Sequence, residues 1–252
     1  MAQIRHLDHA PITEAVIDFR VEAPSDATVE TLEGELDRRD TFGYRKIGQI
    51  IRGEFGFSIN PQEQPPSQTL GGATTIIGVR LHSADEKYVA QLTVEGFTLS
   101  RLQPYESWEA LVAEATRVWQ IYLDCLRPQQ ITRAATRFIN NLRLPLAAGD
   151  PFERFLVVPP TVPEGLPQTV GEFLQRFLIY DAQSGATVIF TQALSGDSPK
   201  TPVPVILDID VFRTARFPGD GSEAWGYLPQ LRVLKNNFFF GCLTEEAIAL
   251  YL

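Results

Sequence analysis

The chain reads as an α+β protein, a mostly antiparallel or mixed sheet with helices packed on one face. Three observations predict it. Several segments alternate apolar and polar residues at the period of a strand, and two long stretches carry apolar stripes at helical spacing. The order strand, helix, several strands, long helix also occurs twice, with almost no residue identity between the two occurrences. The expectation is an internal pseudo-duplication, with halves 1–128 and 129–252 inside one domain of 252 residues.

The elements follow in order. Pro11 opens a strand over residues 12–21, and Ser25 and Asp26 are expected to cap a helix over 28–39, where Val29, Leu32 and Leu36 recur. Gly34 weakens this helix, and Glu30, Glu33, Glu35 and Asp37 give it an acidic solvated face. Strands are predicted over 49–59, 74–82, 88–94 and 97–102. A Pro-rich loop (NPQEQPPSQ) separates the first two, Gly71-Gly72 eases a turn, and Glu95-Gly96 closes a hairpin. The clearest helix is 108–126: Trp108, Leu111, Ala115, Val118, Trp119 and Tyr122 lie on one stripe, and Pro128 ends it.

In the second half a strand over 131–144 precedes a short helical segment at 151–156 and a loop rich in proline. Strands follow over 173–180, 187–194 and 203–213, the last after a turn reading SGDSPKTP. A helix over 223–236 carries Trp225, Leu228, Leu231 and Leu234, with Pro229 expected to break or kink it. Thr244 caps a terminal helix that has Glu245 and Glu246 in its first turn.

Three of these strands carry charges where a buried strand carries aliphatics. The first places Glu14, Asp18 and Arg20 on one face and Ala15, Ile17, Phe19 and Val21 on the other. The middle strand aligns Arg133, Arg137, Asn141 and Arg143, and the late one aligns Asp208 with Asp210. No acid occurs between Leu126 and Gly149, so the arginines are natural partners for both acidic strands. Together Glu14, Asp18, Arg133, Arg137, Asn141, Asp208 and Asp210 form a candidate binding seam. The two readings are a structural network of ion pairs and a recognition surface.

Other chemistry finds less support. Asp208 and Asp210 stand about 7 Å apart on one strand, a spacing that can bridge a divalent cation for phosphoryl transfer or phosphodiester cleavage, with Glu14 as a third ligand. No Gly-rich phosphate loop accompanies them: Ser195-Gly196-Asp197 runs into Ser198-Pro199. Glu14 and Asp18 are roughly 13 Å apart, too far for a glycosidase pair. His6 and His9 flank Asp8 in a terminal segment read as solvated, and His82 has no nucleophile beside it. Cys125 and Cys242 read as buried hydrophobes, and no metal-ligand spacing occurs. Neither metal nor cofactor is expected. The net charge of −9 opposes duplex nucleic acid and anionic membranes. With no signal peptide and no apolar run long enough to span a bilayer, the expected location is cytoplasmic.

Five stretches, APITEAVIDFRV, LSRLQPYESWEAL, RFINNLRLP, LDIDVF and LKNNFFFGCLTEEAI, occur in this order across nearly the whole chain. In this they resemble a sporadically distributed, functionally uncharacterised family of bacterial proteins of about this length. The resemblance implies one full-length unit and carries no catalytic residues over. Patchy inheritance is typical of mobile-element, defence or toxin–antitoxin modules, which implies a partner encoded nearby. The leading expectation is therefore a non-enzymatic protein-binding or regulatory component of such an accessory system. The alternatives are a small-anion or nucleotide binder using Arg133 and Arg137, and a divalent-metal enzyme using Asp208 and Asp210.

Overall fold

The computed structural model describes residues 5–60, 67–147, 149–194 and 202–252, with the backbone alone described for 54–60 and 67–73. The Pro-rich loop at 61–66 and the turn at 195–201 lie outside the described residues. The element order is β1 (Ile12–Glu22), α1 (Val29–Asp37), β2 (Arg45–Asn60), β3 (Ser67–His82), β4 (Tyr88–Thr93), β5 (Gly96–Leu102) and α2 (Trp108–Leu126). It continues with β6 (Gln130–Leu144), a 3-10 turn (Phe152–Arg154), β7 (Phe173–Asp181), β8 (Ala186–Leu194), β9 (Val203–Pro218), α3 (Ser222–Gly241) and α4 (Glu245–Ala249).

The nine strands form one sheet in the order β2-β3-β4-β5-β1-β6-β9-β8-β7, and every pairing is antiparallel. The α+β class therefore holds, and no mixed sheet occurs among the described strands. β1 and β6 sit side by side at the centre. Strands from the first half extend to one edge and strands from the second half to the other.

One face of the sheet supplies the core. Ala15, Ile17 and Phe19 of β1, Phe97 and Leu99 of β5, Ala134 and Phe138 of β6, and Val205, Leu207, Ile209 and Val211 of β9 are all buried. These positions obey the strand period of two, so burying one set leaves the other on the opposite face. α2 and α3 cover the core face and meet over β1. Trp119 of α2 lies edge-on to Phe19 at 5.2 Å between ring centroids, and Trp225 of α3 does the same at 4.8 Å. Edge-to-face contacts of this kind add to the area they bury.

The helix termini explain several boundaries. Thr28, rather than Ser25 or Asp26, caps α1: its side chain accepts from the Thr31 N–H while Thr31 Oγ1 accepts from the Thr28 N–H. Ser107 caps α2 in the same way through the Ala110 N–H. Pro229 does not end α3, which runs through it to Gly241. It lies in the helix's third turn, and the break expected there is absent because Tyr227, Leu228 and Leu231 are buried around it. Gly71 and Gly72 lie within β3, opposite Gly56 and Phe55, rather than in a turn.

The turn from β9 to α3 fits closely against the end of α2. A Cβ at Gly219 would stand 1.9 Å from the Pro128 carbonyl oxygen, and Trp119 Nε1 donates to the Asp220 carbonyl at 3.2 Å. Backbone cannot give way here as a flexible side chain can. Gly219→Ala is expected to cost about 1–3 kcal/mol, read as a lower denaturation midpoint with an unchanged slope in urea.

Candidate functional site

The three charged strands are adjacent in the sheet, with basic β6 between acidic β1 and β9. Register decides which pairs form. Arg133 stands opposite Arg20 on one side and Thr214 on the other, with Asp18 diagonal to it on β1. One arm of its guanidinium donates to Asp18, and the other reaches Asp210 at 2.8 Å. To get there it crosses the Phe212 ring, its central carbon 4.3 Å from the ring centroid. Arg137, directly opposite Asp210, forks instead onto the diagonal Asp208, through Nε at 2.8 Å and Nη2 at 2.6 Å. Thr98 Oγ1 donates to Asp18 at 2.7 Å, and Arg20 lies 3.6 Å from the same carboxylate.

This seam lies on the sheet face opposite α2 and α3, where Ala135, between Arg133 and Arg137 on β6, is 1% exposed. Asp18 is only 9% exposed. Burial pushes the Asp210 carboxyl above its usual range despite Arg133, and the adjacent Asp18 charge pushes the same way. The hydrogen bonds that Arg137 donates to Asp208 hold the guanidinium proton more tightly than in a free guanidinium.

Not every residue of the predicted seam joins it. The Glu14 carboxylate makes no hydrogen bond or ion pair among the described residues, although its charge contributes to the field at Arg137. Asn141 uses its backbone N–H on the Pro11 carbonyl, and its buried Oδ1 has no partner. Arg143 is exposed, and its backbone N–H donates to the Tyr251 hydroxyl. The residues aligned by strand period thus divide into a central ionic group and three flanking positions, Glu14, Asn141 and Arg143. Diagonal reach alone does not decide it: Glu14 and Asp18 are both diagonal to Arg137 across β1, and Arg137 forks onto Asp208 of β9 instead.

The geometry bears on both alternative chemistries. An anion binding at Arg133 and Arg137 must displace carboxylates already held there. Asp208 and Asp210 each hold an arginine, and among the described residues no group of three or more His, Cys, Asp or Glu side chains is placed to hold a metal ion. Cys125 and Cys242 are both free thiols, and burial raises both pKa values, that of Cys242 to about 12. Among the described residues no helix is long and apolar enough to cross a membrane.

A second feature lies on the helix side of the sheet. A cleft of about 920 Å³ opens between the N-terminal segment, the residues leading into α2, β6 and α3. Its N-terminal wall contains His6, Asp8 and His9, which were expected to be merely solvated. They are exposed, but the segment is docked: the His9 N–H donates to the Tyr251 carbonyl, and Arg5 pairs with Glu245 at 2.6 Å. On the other wall Lys235 is 8% exposed, with Nζ 3.9 Å from the centroid of Phe138. The sequence carried a signal for this lysine. Leu228, Leu231, Lys235 and Phe239 follow at intervals of three, four and four, which puts Lys235 on an apolar stripe.

No protein-family model matches the sequence, and no curated protein matches it.

Proposed function

We propose that the chain is a non-enzymatic protein-binding component, of the accessory kind that the resemblance implies, and that its partner docks on the ribbon made by β2 and β3. One observation carries this reading. β3 pairs with β4 only across Gly78–His82, whereas its pairing with β2 continues outward to Asn60 and Ser67. Among the described residues the outer part of the ribbon has no third strand. A two-stranded ribbon is at best marginally stable by itself in water.

The composition of the ribbon supports a protein occupant. Ile51 and Ile76 pair across it and are 62% and 42% exposed. In the sequence Ile51, Phe55, Phe57 and Ile59 recur at every second or fourth position, and the register sets Phe57 opposite Leu70. A partner that adds a strand would supply hydrogen bonds to the edge of β2 and cover Ile51 and Ile76.

The internal duplication is part of the same proposal. β5, β4 and β3 lie beside β1 in the order in which β9, β8 and β7 lie beside β6, and a long helix follows each set. Under that correspondence β2 has no counterpart, so the ribbon is an addition to the repeated plan.

Co-expression with the products of adjacent genes tests the function. The expected result is a heteromeric complex by size exclusion with light scattering, lost in Ile51→Glu/Ile76→Glu, with melting of the isolated protein unchanged. A strict monomer that captures none of these products, or a homodimer joined through the ribbon, would overturn it.

A further inference from the structure

The cleft beside Lys235 is independent of the ribbon and the ionic seam. Its inner wall is aromatic: Tyr105 and Trp108 lie 5.6 Å and 6.4 Å from Phe138 between centroids, and Phe239 and Phe240 line it from α3. The rim is charged but internally paired. Arg232 lies 3.3 Å from Glu109, Arg5 pairs with Glu245, and His6 lies 3.5 Å from Asp8.

Lys235 is the exception. It is buried among these residues, yet it has neither a carboxylate within ion-pair distance nor a hydrogen bond among the described residues; its nearest polar interaction is the face of Phe138. A buried ammonium with only a ring face for company is poorly compensated. Asn140, which also lines the cleft and is 1% exposed, commits its amide hydrogens to the Leu207 carbonyl at 2.9 Å and the Phe138 carbonyl at 3.4 Å.

We infer that this cleft binds a small monocarboxylate with an aromatic or aliphatic body, its carboxylate on Lys235 and its body against Phe138, Tyr105 and Trp108. The charge count selects this class. One buried cation without a carboxylate neutralises one negative charge, and the arginines at the rim are already committed to Glu109 and Glu245. A nucleotide or other polyanion would bring more charge than the cleft can answer. The apolar wall in turn favours a body that leaves water readily.

The test is titration of the full chain with phenylacetate, indole-3-acetate and octanoate, and with the primary amide of each, at slightly acidic pH and followed by calorimetry or ligand-observed NMR. At least one acid is expected to bind saturably and its amide at least about tenfold more weakly. Lys235→Met should remove that preference while its circular dichroism and cooperative melting persist. Absence of saturable binding by all three acids at millimolar concentration would overturn the inference, as would equal binding of acid and amide. The acid–amide comparison uses the wild-type protein, so the test does not depend on the variant folding. These results are separate from the partner-capture experiment, which leaves the cleft untouched.

Discussion

Arg133→Met is expected to destabilise the protein by about 3 kcal/mol at neutral pH. Methionine keeps an unbranched apolar stem but not the guanidinium's place over the Phe212 ring, so the loss includes that contact as well as the charge. In the wild type one guanidinium serves both Asp18 and Asp210, whose side chains are 12% and 18% exposed. Removing it leaves two carboxylates poorly hydrated and close enough to repel each other. Asp18 retains Thr98 and the more distant Arg20, so Asp210 bears more of the loss. Its carboxyl is already raised by burial, and losing Arg133 must raise it further. A carboxyl whose folded pKa exceeds its unfolded value takes up a proton on folding, so the penalty grows as pH rises above the unfolded value. The deficit of Arg133→Met should therefore be smaller in mildly acidic solution than at pH 7. Asp210→Asn in the same background should recover part of it. Urea titrations of the wild type, Arg133→Met and the double variant at both pH values check this; a pH-independent deficit without recovery would mean that the loss does not come from the stranded Asp210 carboxylate, and no deficit at all would mean that the seam is energetically idle. A loss of 3 kcal/mol corresponds to roughly 6–12 °C in Tm for a chain of this size.

The seam also shows where sequence reasoning ends. That Asp18, Asp208, Asp210, Arg133 and Arg137 avoid the core was legible because strand side chains alternate with a period of two. Helix α2 was legible to its end residues for the same local reason, since its stripe and the Ser107 cap lie within the helix or next to it. Strand order is non-local. Nothing within residues 130–144 says that β6 lies between β1 and β9, and that placement alone turns two acidic strands and a basic one into a network. Glu14 shares its face with Asp18 and stands diagonal to Arg137, yet its carboxylate has no partner among the described residues because Arg137 forks onto Asp208; alternation assigns a face but not a partner.

The ribbon was under-read for a different reason. Strand β2 begins at Arg45 and β3 at Ser67, well before the alternation becomes clear in either. Gly48, Gly53, Gly56, Gly71 and Gly72 interrupt the pattern, and glycine is depleted in strands because it offers no side chain to pack. A glycine-rich ribbon is recognisable only after its register is known. Arg101 was missed in the opposite way. It follows Phe97 and Leu99 on the core face and is 1% exposed; Nη2 donates to Glu106 at 2.6 Å, while Nε and Nη1 have no partner. Its alternation was regular, but its charge argued for the surface.

Lys235→Met is expected to stabilise the protein, in contrast to Arg133→Met. The difference follows from compensation: Arg133 is answered by two carboxylates, and Lys235 by none within ion-pair distance. Burial, aided by the Arg232 charge, lowers the Lys235 ammonium from 10.5 to about 7. The other charged or titratable groups around the cleft are Tyr105 and Glu106 before α2, Glu109 on α2, and Arg5, His6, Asp8 and His9 of the N-terminal segment. They are common to both proteins and largely cancel in the difference. Between about pH 7 and 10.5 the unfolded chain holds a proton on this lysine that the folded chain has released, so wild-type stability rises with pH across that window relative to the variant. Below it both states are charged and the full burial penalty applies. The gap between the two pKa values corresponds to an upper limit on the order of 5 kcal/mol, and apolar replacement of buried charge recovers about 1–4 kcal/mol. The expected gain is about 2–4 kcal/mol at pH 6, shrinking toward zero near pH 10. Chemical denaturation of both proteins across that range measures it directly. If methionine lowers stability at pH 6, the lysine is compensated in the free protein and its ammonium is not waiting for a carboxylate. A gain at pH 6 that fades with rising pH, joined to lost acid binding, would identify Lys235 as a residue kept at a cost in stability for what it binds.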